Sequence, residues 1–256
     1  MGKDHAGAVA AQFGPQAQAY VASAVHAGGP DLEALGQILA AAPPGRALDL
    51  GTGGGHVAYL MAGHAAEVVA ADLSSEMLAA VRATAAARGI VNLQTVETAA
   101  ESLPFAEGSF DFLACRYSAH HWLDLGAGLS EARRVLAPGS RAVFIDVIAA
   151  GRPLLDTHLQ AVELLRDTSH VRDYSAAEWL AALGRAGFAV GALRTWRIRM
   201  DFPVWTARMR TPAPLVTAIR AVQEAAAAET RAHFQIEADG SFLLDVMMAE
   251  AVRPAA

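Results

Sequence analysis

Three alternating glycines form the motif in this chain that points most directly to chemistry. Asp49, Gly51, Gly53 and Gly55 spell D-x-G-x-G-x-G in the run ALDLGTGGGH, at the end of a short apolar segment. Glycine allows the backbone to turn sharply and lets a ligand approach the main chain closely. In open α/β sheets, ligands bind over the carboxyl ends of the strands. The motif therefore predicts a ligand on this loop.

The residues around the motif indicate what kind of ligand this is. A dinucleotide fingerprint needs glycine or alanine where His56 stands, and no lysine follows to complete a phosphate-binding loop. Asp72 stands about 20 residues after Gly51, where an acidic side chain can accept hydrogen bonds from both ribose hydroxyls. We predict a nucleoside ligand. The alternative is that Asp72 only begins a helix, before Ser74 and Ser75.

Two adjacent histidines, His120 and His121, are the candidates for proton transfer. They lie in the run RYSAHHWLDL, after the apolar segment FDFLAC, and imidazoles titrate near neutral pH. The alternative is that one of them orients the loop while Trp122 packs in the core. Adjacent histidines are poor joint ligands, and we find no carboxylate cluster with the spacing of a magnesium site, so we predict no metal.

The elements that must position these residues alternate between apolar runs and helical spacings. This βαβ rhythm predicts a doubly wound parallel sheet. We expect strands near 46–50, 67–72, 92–97, 109–116 and 140–148, and helices near 55–65, 75–88 and 125–136. Residues 4–40 predict two or three short helices. After residue 150 we expect a polar connector at 165–174, a helix near 175–186, a strand near 188–200, helices near 203–230 and a strand near 241–251.

Composition narrows the class of protein and of partner. The 256 residues are 54% hydrophobic, carry a net charge of -6 and contain one cysteine, Cys115. The acidic balance argues against nucleic acid as the partner, and the lone cysteine argues for a reducing compartment. No targeting or membrane-spanning segment is recognisable. We predict one domain over 1–256, cytoplasmic, monomeric or homodimeric, with a small molecule as partner.

Four runs together resemble class I S-adenosylmethionine-dependent methyltransferases of the ubiquinone/menaquinone-biosynthesis (methyltransferase type 11) branch. The runs are LDLGTGGGHVA, VVAADLSSEMLAAV, ETAAESLPFAEGSFDFLACR and ARRVLAPGSRAVFID. The resemblance implies a Rossmann-like, mostly parallel seven-stranded sheet with the last strand antiparallel and an α-helical cap. The core would be 45–150, and the α-helical cap would come from 1–40, 151–174 and 200–235. It also implies methyl transfer from S-adenosylmethionine to carbon, oxygen or nitrogen of a small molecule, with S-adenosylhomocysteine as product.

The resemblance also implies which residues contact the cofactor. Gly51 and Gly53 would contact its methionine part, Asp72 its ribose, and Leu73 and Met77 its adenine. Arg116 would offer its carbonyl, and Tyr20 would close over the methionine end. Ala99 and Ala100, beside Glu101, stand where related enzymes often carry an acidic residue, and so offer backbone contacts at most. The full predicted set is Tyr20, Asp49, Gly51, Thr52, Gly53, Gly55, Asp72, Leu73, Met77, Ala99, Ala100, Glu101 and Arg116.

The acceptor site is predicted from the loops and the cap. His170 and Arg172 in the connector, and Trp205 and Arg208 in the helical region, could face the acceptor. The alternative is a solvated surface for the charged residues and core packing for Trp205. Arginines near 197–210 could attract an anionic acceptor, although a solvated face is the simpler interpretation. Two rival functions are a nucleotide-dependent oxidoreductase, which His56 argues against, and a non-catalytic S-adenosylmethionine-binding sensor or assembly protein.

Overall fold

The chain folds around one seven-stranded sheet. The computed structural model describes residues 4–13 and 28–255. The strands are β1 (Arg46–Leu50), β2 (Glu67–Asp72), β3 (Leu93–Glu97), β4 (Phe110–Arg116), β5 (Leu136–Val147), β6 (Ala189–Met200) and β7 (Phe242–Val252). Their order across the sheet is β3-β2-β1-β4-β5-β7-β6. Strands β1 to β5 pair in parallel, whereas β7 is antiparallel to both β5 and β6. The predicted Rossmann-like sheet with an antiparallel last strand is confirmed.

The strand order reverses beside β1, and this reversal creates the crevice. From β1 the chain proceeds outward to β2 and β3, then returns to place β4 on the other side of β1. The loops after β1 and β4 therefore diverge and leave a crevice at the carboxyl edge of the sheet. The glycine motif follows β1 and the two histidines follow β4, so the two candidate sets meet at this edge.

Helices cover both faces of the sheet. They are α1 (His5–Phe13), α2 (Pro30–Ala41), α3 (His56–Ala62), α4 (Ser75–Ala87), α5 (Leu125–Val135), α6 (Pro153–Arg166), α7 (Ala176–Arg185), α8 (Phe202–Arg208), α9 (Ala213–Glu224) and α10 (Ala228–Phe234), with a 3₁₀ turn at Ala119–His121. Side chains cap several N-termini; Ser175 and Glu178 form a reciprocal capping box on α7. Among the residues described, no helix is long and apolar enough to cross a membrane.

The core lies on the two faces of the central strands. Residues 46–50 and 67–72 are nearly continuously apolar because both of their faces are buried. Alternate residues of β1 point to opposite sides: Ala47 packs in the layer that contains α2, α3 and α6, and Leu48 packs in the layer that contains α5 and α7. Packing on both faces therefore positions the carboxyl ends of β1 and β4.

The observed elements follow the predicted ones closely before residue 150. The strands expected near 67–72 and 109–116 are β2 and β4, and the helix expected near 75–88 is α4. One helix was missed: α6 occupies 153–166, within the stretch 151–174 that the resemblance assigns to the helical cap, but there we placed only a polar connector. Its signals were present: Pro153 at the helix start, and Leu155, Leu159 and Val162 on one buried face.

Candidate active site

Two adjoining cavities open at the carboxyl edge of the sheet. The larger cavity has a volume of about 480 Å³ and the smaller cavity about 160 Å³. The larger one lies over the end of β2 and over the loop at residues 51–55, hereafter the glycine loop. The smaller one lies under α6 and α8. Phe13, Arg116, Tyr117 and His121 line both, so they form the junction between the two spaces.

The glycine loop adopts a backbone that only glycine accommodates easily. Gly51, Gly53 and Gly55 have φ angles of 75°, 49° and 83°, all left-handed. A side chain at Gly51 would overlap Ser118, and one at Gly55 would meet the ring of Tyr59. A Cβ at Gly53 would meet nothing within 4 Å, and Gly53 lines the larger cavity. Gly53 is therefore the position where a ligand can approach the main chain.

Asp72 ends β2 with its carboxylate at the larger cavity. Oδ2 accepts a hydrogen bond from the Gly53 N–H at 2.8 Å, and Oδ1 accepts one from the Ser74 N–H at 2.9 Å. Burial raises the pKa of Asp72, although these main-chain hydrogen bonds oppose the rise. Each oxygen keeps a further lone pair, which fits two ribose hydroxyls. Asp72 thus ties the loop to β2 and still presents both acceptors.

Most of the other predicted cofactor residues surround the same space. Glu101 accepts hydrogen bonds from the main chain of Leu123 and Asp124, which orders the loop after the 3₁₀ turn. The residues that line the larger cavity are Gly51, Thr52, Gly53, Asp72, Leu73, Met77, Ala99, Ala100, Glu101 and Arg116. Predicted Tyr20 lies outside the described residues.

Asp49 and Gly55 do not line either cavity. Asp49 is buried and accepts a hydrogen bond from the Thr52 hydroxyl at 2.6 Å. Burial raises the pKa of Asp49 to about 7. Gly55 is the residue immediately before α3. Both act on the shape of the glycine loop and not on its ligand-facing surface.

Arg116 is held at the junction by a buried ion pair. Its Nε lies 2.6 Å from Oδ2 of Asp31, and both side chains are almost fully buried. The guanidinium also stacks over the Tyr117 ring at 4.6 Å. We did not predict Asp31, because it is close to the junction only in three dimensions.

His120 is hydrogen-bonded to a carboxylate that we also did not predict. Its Nδ1 lies 2.6 Å from Oδ1 of Asp146, near the end of β5. Burial opposes a charge on the ring, but the charge of Asp146 and this hydrogen bond outweigh it and raise the pKa of His120 to about 9. Because Asp146 engages Nδ1, exchange of a proton with a ligand must use Nε2. The signal for Asp146 was an acid interrupting the apolar run AVFIDVI.

His121 has the opposite electrostatics. Burial and then the charge of His120 lower the pKa of His121 to about 3. Its Nδ1 lies 3.1 Å from the carbonyl oxygen of Ser169, to which the N–H donates. Phe13 packs against its ring with the ring centroids 5.0 Å apart, and His5 donates to its carbonyl at 2.8 Å. His121 is therefore a neutral residue held between α1 and the connector.

His120 belongs to a buried cluster of side chains that could bind a cation. Ligand-type atoms of His120, Asp146 and Asp173 lie within 4.8 Å of one another. Oδ2 of Asp146 and Oδ2 of Asp173 are buried without a hydrogen-bond partner among the described residues. Carboxylate oxygens so placed can accommodate a cation. The three residues come from separate parts of the chain, so spacing alone did not reveal them.

The predicted acceptor residues divide into two pairs. Trp205 and Arg208 line the smaller cavity. His170 and Arg172 line neither cavity: Nε2 of His170 lies 2.9 Å from Oε1 of Gln160, and Arg172 pairs with acids on α6 and α7. Their contacts hold the connector in place. The basic stretch of β6 is also neutralised, since its arginines pair with acids.

Comparisons with known proteins agree with this geometry. Residues 48–144 match the family model described as a methyltransferase domain. YafE of Escherichia coli strain K12 is 48% identical over 188 residues, which cover 73% of this chain and 91% of YafE. The methyltransferase YcgJ of Bacillus subtilis strain 168 is 33% identical over 201 residues, 78% of this chain and 79% of YcgJ.

The structural comparison extends this similarity over most of the chain. The crystal structure of YcgJ superposes with a TM-score of 0.84 at 30% identity, covering 88% of this chain and 98% of YcgJ. Demethylmenaquinone methyltransferase of Thermus thermophilus is 41% identical over 105 residues, 40% of this chain and 47% of its own. From its fold, its glycine loop and these relatives, we conclude that the chain belongs to the class I S-adenosylmethionine-dependent methyltransferases related to the UbiE-type enzymes.

Proposed function

We propose that this protein transfers a methyl group from S-adenosylmethionine, bound in the larger cavity, to a small molecule bound in the smaller cavity. The observation that carries this proposal is the shared lining of the two cavities at Phe13, Arg116, Tyr117 and His121. A donor and an acceptor in adjoining spaces can be aligned, which is a large part of catalysis of a displacement reaction. The second cavity favours an enzyme over the non-catalytic alternative.

The proposed donor site uses the residues that the glycine loop brings together. Gly53 leaves room for the ligand, and Gly51 and Thr52 line the cavity beside it. Asp72 accepts hydrogen bonds from the ribose hydroxyls, while Leu73 and Met77 flank the base. Ala99, Ala100, Glu101 and Arg116 complete the wall. When bound, S-adenosylmethionine supplies an electrophilic methyl group on a sulfonium.

The proposed role of this chain's own residues in the reaction is to exclude water and to manage one proton. We assign the proton to Nε2 of His120, because Asp146 holds the other nitrogen and stabilises the imidazolium. With its pKa at about 9, His120 is mostly protonated at neutral pH and accepts a proton efficiently only at higher pH. His121, neutral and at the junction, shapes the path between the cavities.

The lining of the smaller cavity, and not the names of the relatives, indicates which kind of acceptor binds. The Thermus relative is named for demethylmenaquinone, but it matches only 40% of this chain. That similarity supports the donor site. Trp205 and Arg208 support an acceptor under α8.

Titration calorimetry with S-adenosylmethionine, S-adenosylhomocysteine and NADH in parallel tests the proposal. We expect micromolar binding of the first two ligands and none of NADH. An acceptor screen then follows the formation of S-adenosylhomocysteine. Binding of NADH instead, or no binding of the first two ligands, would contradict the proposed function.

A further inference from the structure

The smaller cavity contains arginines, but they are already engaged. Three of the four arginines that line it form ion pairs with acids, at nitrogen–oxygen distances of 3.3 Å or less. The pairs are Arg116 with Asp31, Arg166 with Glu163 and Arg199 with Glu237. Arg208, the fourth arginine of the lining, also has a partner and is not a free cation. An anionic ligand would have to compete with these acids.

Among the acids of the same lining, Asp173 has neither an arginine partner nor a hydrogen bond to its Oδ2 in the described part of the chain. Asp173 is 1% exposed, and its Oδ2 accepts no hydrogen bond among the described residues. Nε2 of His170 is 3.9 Å from it, beyond hydrogen-bond distance, and bonds Gln160 instead. Burial and the charge of His120 lower the pKa of His170 to about 2, so His170 is uncharged. Asp173 therefore receives no full positive charge from His170.

His120 supplies a single positive charge to this region. Its imidazolium is hydrogen-bonded to Asp146, so one positive charge faces two buried carboxyl groups, Asp146 and Asp173. Burial and the charge of Glu163 raise the pKa of Asp173 well above its ordinary value, although the charges of His120 and Arg166 oppose the rise.

The rest of the lining sets the shape of the ligand. The walls are apolar and aromatic, and the volume of about 160 Å³ suits a single substituted ring. The aromatic and apolar lining residues are Phe13, Tyr117, Val147, Ile198, Met200, Trp205 and Leu244. A ring would pack on these walls while a polar group reaches the cluster of His120, Asp146 and Asp173.

We propose that the acceptor is a compact ring molecule carrying a positively charged amine, and that Asp173 binds the amine. This inference rests on the proposed function, because the smaller cavity is the acceptor site only if methyl transfer takes place there. A cation pairs with the buried carboxylate and satisfies its free oxygen. A cationic amine would hold Asp173 in its ionised form, whereas a carboxylate or phosphate would offer it no compensating charge.

Three probes of nearly equal size test the charge preference: 2-phenylethylamine, 2-phenylethanol and 3-phenylpropanoate. Saturation-transfer NMR measures their binding to protein saturated with S-adenosylhomocysteine. We expect the amine to bind about tenfold tighter than the acid, with the alcohol between them. Asp173→Asn should weaken amine binding by about tenfold and leave the alcohol unchanged. The matched control is Glu224→Gln, which removes one negative charge from an exposed residue of α9.

The possible outcomes separate this inference from the function on which it rests. Failure of S-adenosylhomocysteine to bind contradicts the methyltransferase site, while the order of the three probes on the free protein still reports the charge preference. If Asp173→Asn does not fold, as judged by circular dichroism, the wild-type order decides. Equal or tighter binding of the acid, or no amine binding at millimolar concentration, overturns the inference. So does Mn²⁺ binding that Asp173→Asn abolishes, since the charge would then belong to a metal ion.

Discussion

Asp72 serves both the fold and the proposed ligand. Its two oxygens accept hydrogen bonds from Gly53 and Ser74, and the same carboxylate faces the larger cavity. The helix-start interpretation and the ribose interpretation are therefore compatible. A single acidic residue at the end of β2 orders the loop and offers lone pairs to a ligand.

Replacing Asp72 by Asn should weaken binding of S-adenosylmethionine by about 1–3 kcal/mol, since an amide retains only one acceptor oxygen. Titration calorimetry measures the change. Asp111→Asn is the matched control, because Asp111 likewise accepts hydrogen bonds from main-chain N–H groups, those of Gly45 and Arg46, but lines neither cavity. Equal affinities for the wild type and Asp72→Asn would remove Asp72 from the proposed site.

The pair of histidines gives a second prediction at this scale. In wild-type protein, NMR titration of the His120 ring should give a pKa of about 9. In Asp146→Asn this pKa should fall below its ordinary value, because burial remains while the stabilising carboxylate is lost. The pKa of His121 should rise, since the charge of His120 that lowers it disappears near neutral pH. A His120 pKa that is the same in both proteins would contradict the assigned pairing.

At the scale of the element, substitutions at two positions of the glycine loop should affect stability and ligand binding differently. Gly53→Ala places a methyl group in open space at a φ of 49°, at a strain cost of about 1 kcal/mol. Gly51→Ala must also displace Ser118. We expect Gly53→Ala to remain folded and to lose cofactor binding, and Gly51→Ala to lose stability as well. Urea unfolding and calorimetry measure both. Normal binding by Gly53→Ala would show that the ligand does not approach this residue.

The buried ion pair between α2 and β4 gives a prediction about stability. Asp31→Asn removes the buried carboxylate that pairs with the Arg116 guanidinium and should lower the free energy of unfolding by about 3–5 kcal/mol. The control is Glu67→Gln, whose partner Arg46 is on the surface, and the expected loss there is within about 1 kcal/mol. Denaturant unfolding measures both values. Losses of equal size would mean that burial does not strengthen the Arg116 pair.

At the scale of the whole molecule, the larger cavity couples ligand binding to stability. Its lining comes from α1, the glycine loop, β2 and the loops after β3 and β4. Saturation with S-adenosylhomocysteine at 100 times its Kd should stabilise the fold by about 2.7 kcal/mol. This should raise the Tm by roughly 5–10 °C in differential scanning fluorimetry. NADH should give no shift, and Gly53→Ala should remove the effect while Asp111→Asn retains it. A shift that persists in Gly53→Ala would place the ligand elsewhere.

Local patterns predicted much of the fold and of the donor site. Strand β2 and helix α4 have the predicted bounds to within one residue, because apolar runs and an N-terminal cap are local signals. The same locality explains the glycine loop, in which strand, turn and helix follow one another directly. Helix α6 was missed because a polar connector follows it, and we interpreted the region after residue 150 as a loop.

By itself, the sequence determined the alternation of strands and helices before residue 150, the position of the glycine loop and the acid that follows it. Only the tertiary structure decided which side chains meet across the sheet. Asp31, Asp146 and Asp173 come from distant parts of the chain, and no spacing relates them to Arg116 or His120. It also decided that His170 and Arg172 serve the connector and that the arginines of β6 are paired. The physical reason is that charge pairing and burial are set by packing between elements, whereas turns and periodicity are set along the chain.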